Sequence, residues 1–132
     1  KNMNHNVSDF IIRIKNAALA KRRKVILPFS NINKEIGKVL VKEGFLENIK
    51  EEGEKSKKIL KAIVRYEKRL PVLTDVVIIS KPSLRVYEPA RRIGNIQRKG
   101  KKIVIISTNL GVMTGTGAQK KGIGGEILFT IW

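Results

Sequence analysis

Ser107-Thr108-Asn109-Leu110-Gly111-Val112-Met113-Thr114 lies between two apolar runs, residues 103–106 before it and 126–132 after it. The first run, Ile103, Val104, Ile105 and Ile106, is β-branched and favours a buried strand. Two hydroxyls and an amide then come together at the end of that strand. Gly111 permits a turn with positive φ, and Thr114 suits the cap of a short following helix. Small donors and acceptors on a rigid strand end fit a site that reads the polar edges of another molecule. They equally fit a hairpin-like loop whose hydroxyls satisfy only their own backbone.

Outward from this stretch the second half of the chain is strand-rich. Strands are expected at 75–80, at 84–87 and at 126–131, with a break at Lys81-Pro82-Ser83 and an end at Pro89. Residues 90–102 read as irregular or as a short helical turn, exposing Arg91, Arg92, Arg98, Lys99, Lys101 and Lys102. A short helix is expected at 114–121. Gly122, Gly124 and Gly125 then mark a place where the backbone turns or a ligand comes close.

In the first half, Val7, Phe10, Ile11, Ile14, Ala17 and Ala18 recur at helical spacing and predict a helix over 6–20, capped by Asn4, His5 or Asn6. Its polar side carries Arg13, Lys15 and Asn16. Four consecutive cations follow, Lys21-Arg22-Arg23-Lys24, ahead of a short strand, Val25-Ile26-Leu27, closed by Pro28. Such a block is either a solvated charge run or a phosphate contact held against a structured element. Ser30 or Asn31 caps a second helix with Ile32, Ile36, Val39 and Leu40 on one side. Gly37 permits close packing and Gly44 ends the helix. A strand at 45–51, a polar hairpin loop at 52–57 and a strand at 58–67 complete an α-β-α-β-β pattern, in which two helices cover one face of a small sheet. Residues 68–74, with Pro71, are the candidate linker. The fold class is therefore α+β, in two small lobes: an N-terminal α/β lobe, 1–70, and a β-rich C-terminal lobe with a short helix, 71–132.

Charge bounds the function. Among 132 residues, 28 Lys and Arg oppose 11 Asp and Glu, a net charge of +17. Solubility alone asks for about 2–8 in magnitude, so a polyanionic partner is implied. Six of the acids fall between residues 35 and 54, a region expected to turn away from that partner. The ends, 1–30 and 98–132, are the candidate basic contact surfaces. The chain has no cysteine and one histidine, His5, so disulfides, thiolate chemistry, zinc sites and a Ser-His-Asp triad are not expected. Gly115-Thr116-Gly117-Ala118-Gln119-Lys120 departs from a dinucleotide fingerprint at its last position, and Ile123 stands where a P-loop needs lysine. Only Asp75, Glu88 and Glu126 are acidic in the second half, with nothing to pair them for acid–base work. No apolar run approaches a membrane span, and no signal-like segment opens the chain. The expectation is a binding protein: not an enzyme, with no cofactor, metal or small-molecule substrate and no membrane.

Basic patches attract phosphates without reading sequence; the 107–109 cluster could supply selectivity. Folded RNA offers 2′-hydroxyls and base edges in a shallow minor groove within reach of small polar side chains, whereas DNA readers place a helix in the major groove and no helix-turn-helix pattern is present. Aromatic residues are too few for a stacking platform. Tyr87 alone could stack on a base or sugar, or serve as a strand-end core residue.

Ser80-Lys81-Pro82-Ser83-Leu84-Arg85-Val86-Tyr87, then the 107–114 stretch, then Gly124-Gly125-Glu126-Ile127-Leu128 resemble, in order and separation, the eighth protein of the small ribosomal subunit, bacterial type. Ser8-Asp9-Phe10, Arg13-Ile14-Lys15-Asn16 and Glu43-Gly44-Phe45 extend the resemblance over nearly the whole chain. It implies a two-lobed structural protein that binds a bent helical segment in the central domain of small-subunit rRNA early in assembly, beside neighbouring small-subunit proteins. It also implies that the loop matching Ser107 to Gly111 enters the RNA minor groove, supported by the residue matching Glu126. Charge and resemblance together mark Ser107, Thr108, Asn109, Gly111, Met113, Thr114, Gly124, Gly125 and Glu126 as RNA-binding candidates. Lys81, Pro82, Arg85 and Tyr87 join them, and Arg13, Lys15, Asn16, Arg22, Arg23 and Ser30 do so from the first half. Asn109 stands where the family usually has serine, and Gly115-Thr116-Gly117 where an acid and a base are common. Family members can also bind a similar fold in their own operon's mRNA, so a translational repressor is the alternative function. The expected place is a ribosome, in the cytoplasm or in an organelle.

Overall fold

Apolar spacing is realised directly: Val7, Phe10, Ile11, Ile14, Ala17 and Ala18 are all buried on one helix, α1 (Met3–Leu19). The structure, a computed structural model, describes residues 3–97 and 101–132, with side chains from Val7 onward. The expected caps Asn4, His5 and Asn6 and the cations Arg98 and Lys99 lie outside the described side chains. The α1 helix closes with hydrogen bonds from the Lys21 N–H to the Ala18 carbonyl (3.1 Å) and from the Arg22 N–H to the Ala17 carbonyl (2.9 Å). This Schellman pattern requires positive φ at its outer residue, and Lys21 supplies it at 57°. A β-carbon there costs about 1 kcal/mol.

β1 (Lys24–Pro28) leads to α2 (Asn31–Lys42), whose cap is Ser30: its hydroxyl accepts the Asn33 N–H at 3.1 Å. β2 (Leu46–Glu52) and β3 (Ile59–Val64) are separated by a single 3-10 turn, Lys55–Lys57. The sheet runs β1-β3-β2, antiparallel throughout. Val25 faces Ala62 and Leu27 faces Leu60, so the buried residues of β1 and β3 share one face. The Ile49 side chain occupies the space that a side chain at Gly37 would need, which seats α2 closely on β2. β3 is shorter than the expected 58–67 strand. After Val64 the chain bends into a separate hairpin, β4 (Tyr66–Glu67) and β5 (Leu70–Pro71), closed by the Val72 N–H on the Arg65 carbonyl at 3.0 Å. The Lys68-Arg69 turn, with both residues at positive φ, ends the strand pattern that alternation alone would have continued.

The second half holds β6 (Val76–Ile78), β7 (Tyr87–Glu88), α3 (Ala90–Gln97), β8 (Ile103–Thr108), β9 (Gly111–Thr114), α4 (Gly115–Lys121) and β10 (Gly125–Ile131). The sheet order is β6-β10-β8-β9, with β7 also pairing β10. Ile93, Val104, Ile106, Ala118 and Ile127 form its buried cluster. Residues 107–114 form the hairpin-like arrangement: Ser107–Thr108 pair with Gly111–Val112 and Asn109–Leu110 make the turn, so the strand runs one residue further than 107 and β9 continues the ladder. Two expectations need correction. Residues 84–87 are not a strand: Lys81 and Leu84 exchange backbone hydrogen bonds at 3.0 Å in a tight turn, leaving only Tyr87–Glu88 to pair. Residues 90–97 are a regular helix, held by burial of Ile93 and by Gln97. The Gln97 side chain donates to the Lys102 carbonyl and accepts the Val104 N–H. By backbone contacts residues 9–74 form one unit, and residues 1–8 with 75–132 the other.

Hydrogen bonds from the Lys34 and Lys58 ammonium groups, each at 2.9 Å, hold the Glu51 carboxyl below the usual carboxylate range. A lowered folded-state pKa contributes stability above the ordinary value and loses it as pH falls through the lowered one. Glu51→Gln is expected to shallow the loss of thermal stability between about pH 6 and about pH 3. Thermal unfolding of both proteins across that range checks it.

Candidate nucleic-acid interface

The site in the second half grows out of strand register. Ser107 on β8 faces Val112 on β9 and Glu126 on β10, and Glu126 in turn faces Tyr87 on β7. Directly paired residues of antiparallel strands share a face. Val112, Ser107, Glu126 and Tyr87 therefore form one row across four strands. The glycines preceding Glu126 make the row possible. A β-carbon on Gly125 would collide with the Ser107 carbonyl, and one on Gly124 with the Glu88 carbonyl and the Ala90 nitrogen. The close approach expected for Gly124 and Gly125 is thus to the protein's own backbone.

At the tip, Asn109 and Leu110 make the turn and Gly111 follows at φ 113°. The Thr108 hydroxyl stitches this turn: it donates to the Gly111 carbonyl (2.7 Å) and accepts the Leu110 N–H (3.1 Å). Its bonds therefore stay within its own turn. Asn109 and Leu110 are exposed, and among the described residues the Ser107 hydroxyl makes no hydrogen bond. One carboxylate oxygen of Glu126, Oε2, is buried without a hydrogen-bond partner. Thr114 caps α4 by accepting the Gly117 N–H at 3.1 Å, and Met113 packs against the core. Both are structural first.

Beside this row the buried Ser80 hydroxyl accepts the Val86 N–H at 2.9 Å and pins the turn that displays Lys81 and Pro82. Tyr87 is 63% exposed, so it is no core residue. Arg85 is half-buried.

The candidates of the first half lie in the other unit. Arg13, Asn16, Arg22 and Lys24 line one groove of about 550 Å³ with Ala17, Ala20, Val25 and Ile26. Arg13 also pairs with Asp9 at 3.3 Å, and Arg23 with Glu47 at 3.3 Å. Lys15 stands half-buried on α1, outside the groove lining. Ser30 is spent as the α2 cap. Among the described residues, no three of His, Cys, Asp and Glu converge to hold a metal.

The sequence model of the family described as Ribosomal protein S8 matches residues 5–132. The chain belongs to the ribosomal protein S8 family. It is 41% identical over 131 residues to the small ribosomal subunit protein uS8c of Physcomitrium patens, covering 98% of each chain. Over 126 residues it is 40% identical to uS8 of Mycoplasmopsis agalactiae, covering 96% of this chain and 95% of that one. Over 132 residues it is 37% identical to uS8 of Thermosynechococcus vestitus, covering 98% of each. As an S8-family member the chain is a non-enzymatic protein.

Two residues of this S8-family chain escaped the sequence reading. Ser80 entered only as the first residue of a resembling segment, with no role of its own, and its contact to Val86 depends on the fold. Tyr66 read as an ordinary strand residue, yet its hydroxyl donates to the Arg22 carbonyl at 2.7 Å. The two loop hydroxyls should separate on mutation. Thr108→Ala loses both stitching bonds and is expected to cost about 1–3 kcal/mol. Ser107→Ala removes no internal bond and should stay within about 0.5 kcal/mol of the parent. Urea unfolding of the two variants measures the difference.

Proposed function

We propose that this chain is a structural constituent of the small ribosomal subunit that binds the central domain of the subunit's rRNA directly and supports assembly. Relatives whose names place them in the small subunit support the coarse reading. The resemblance of residues 80–87, 107–114 and 124–128 to the family's RNA-contacting segments supports the finer one. The observation that carries it is the Glu126 carboxylate oxygen, buried and unpartnered beside the unbonded Ser107 hydroxyl. A buried acceptor without a donor is costly and is rarely left so. Once the carboxylate turns outward, a ribose 2′-hydroxyl, presented in the minor groove of folded RNA, is a donor that satisfies it. Ser107 and the exposed ring of Tyr87 flank that position. In this reading the ribosome concerned is that of a cytoplasm or of an organelle.

Glu126 tests the site. Glu126→Gln keeps an acceptor and Glu126→Ala removes it, so both are expected to weaken binding to small-subunit rRNA, Ala more than Gln, with the fold retained. Equal or tighter binding by either variant would show the carboxylate to be a repulsive surface charge. Filter binding with a circular-dichroism control decides.

Positioning and reading should also separate. Arg22→Ala with Arg23→Ala is expected to weaken small-subunit rRNA and random RNA by similar factors. Ser107→Ala with Asn109→Ala should weaken mainly the former, by about 1–3 kcal/mol for two net hydrogen bonds. Equal losses on both RNAs for the loop variant would refute the division. Preference for an mRNA leader over rRNA would instead favour the repressor reading.

A further inference from the structure

The chain has two methionines, Met3 and Met113. Met113 lies on β9, which among the described residues pairs with β8 alone. It stands opposite Ile106, and Ile106 opposite Ile127, so it points to the face away from the Ser107–Glu126 row. There its side chain packs against the cluster of Ile93, Val104, Ile106, Ala118 and Ile127, yet stays partly exposed at the outer strand.

Gly117 lies over the sulfur. Glycine within a helix costs backbone entropy relative to alanine. It normally answers a need for positive φ or for close approach. Gly117 answers neither. Its φ is not positive. A β-carbon there would meet nothing nearer than the Thr114 hydroxyl at 3.5 Å, and it would rest 3.9 Å from the Met113 sulfur, in ordinary contact. Gly115, in the same helix, differs: a β-carbon on it would crowd the Gln97 side chain. What Gly117 withholds is the methyl group that would cover the sulfur.

We propose that Met113 is an oxidation site, open to hydrogen peroxide beside Gly117, and that its sulfoxide frees β9 from the core and switches off rRNA binding. The switch rests on the binding proposed for the Ser107–Glu126 row; the modification site does not. The step is an oxygen-atom transfer. A sulfur lone pair forms the S–O bond as the O–O bond of the peroxide breaks. The proton on the transferred oxygen passes to the departing hydroxide, which leaves as water. Sulfur is oxidised and the peroxide is reduced, by the same electron pair. The product is polar and accepts hydrogen bonds. The aliphatic side chains of Ile106, Ala118 and Ile127 offer its oxygen no donor, so it must turn to water and draw β9 with it. β9 is half of the hairpin: Val112 faces Ser107, and the Gly111 carbonyl anchors the Thr108 hydroxyl.

The test uses the free full chain carrying Met3→Leu, which leaves Met113 as its one methionine. Under hydrogen peroxide its mass should rise by one oxygen, mapped to Met113. Adding Gly117→Ala should slow that gain about threefold or more, because exposure governs the reaction, and the thermal midpoint should hold or rise. The oxidised chain should lose amide-exchange protection over residues 111–114. It should bind small-subunit rRNA about tenfold more weakly, the penalty for one polar oxygen that the core cannot satisfy. Methionine sulfoxide reductase with dithiothreitol should restore both, the oxygen leaving as water while the dithiol closes to a disulfide. Met113→Leu should bind equally before and after peroxide. Equal oxidation rates with and without Gly117→Ala would overturn the proposal, as would undiminished protection of β9 in the oxidised chain. The two readings fail separately. If oxidation frees β9 but both Glu126 variants bind rRNA like the parent, the row reading is wrong and the modification site stands. If Glu126→Ala binds weakly while the oxidised chain binds like the untreated one, the switch is wrong and the row stands.

Discussion

β10 can lie between β7 and β8 only because its first residues lack side chains. Gly125 runs against the Ser107 carbonyl, and Gly124 against Glu88 and Ala90, at separations no β-carbon could share. This contact sets the register that brings Glu126 opposite both Ser107 and Tyr87. Further along, a bulge between Ile127 and Phe129 lets the strand keep both faces buried while it pairs with β6 and β8. The polar row and the apolar core of this unit thus hang on one backbone approach.

Within the row, a hydroxyl already bonded in the free protein differs from one left open. Thr108 spends both its donor and its acceptor on the hairpin. That makes the tip rigid in the free protein. Ser107 and the Glu126 carboxylate are held on flanking strands without such internal use. A rigid frame around open donors and acceptors is what the proposed selective recognition requires.

Electrostatics are divided just as unevenly. Most acids in residues 9–74 are consumed locally: Asp9 by Arg13, Glu47 by Arg23, Glu51 by Lys34 and Lys58, Glu52 by Lys61, and Glu67 by Arg65. Ion pairs this near the surface add little to stability. Their larger effect is to decide which cations remain unpaired at the surface. The surplus of +17 is therefore spread unevenly rather than as a uniform coat.

Much of this was legible in the residues alone. Helical spacing from Val7 to Ala18, the Ser30 and Thr114 caps, the β-branched run ending at Ser107 and the charge balance are local properties, set by propensity, periodicity and composition. They determined two helices and a sheet in the first half and a strand-rich second half, and they implied a polyanionic partner. The resemblance of three short segments was enough to mark the family. What needed the tertiary structure was every assignment in which one atom chooses between partners far apart in sequence. Whether Thr108 bonds its own turn or another molecule, whether Gly125 faces a ligand or Ser107, and whether Tyr66 ends a strand or ties a hairpin to Arg22 each depend on register and chain reversal. Local propensity carries no information about those choices, because the competing states differ only in which distant backbone arrives. The sequence by itself determined which groups were available; the fold decided which of them remained free.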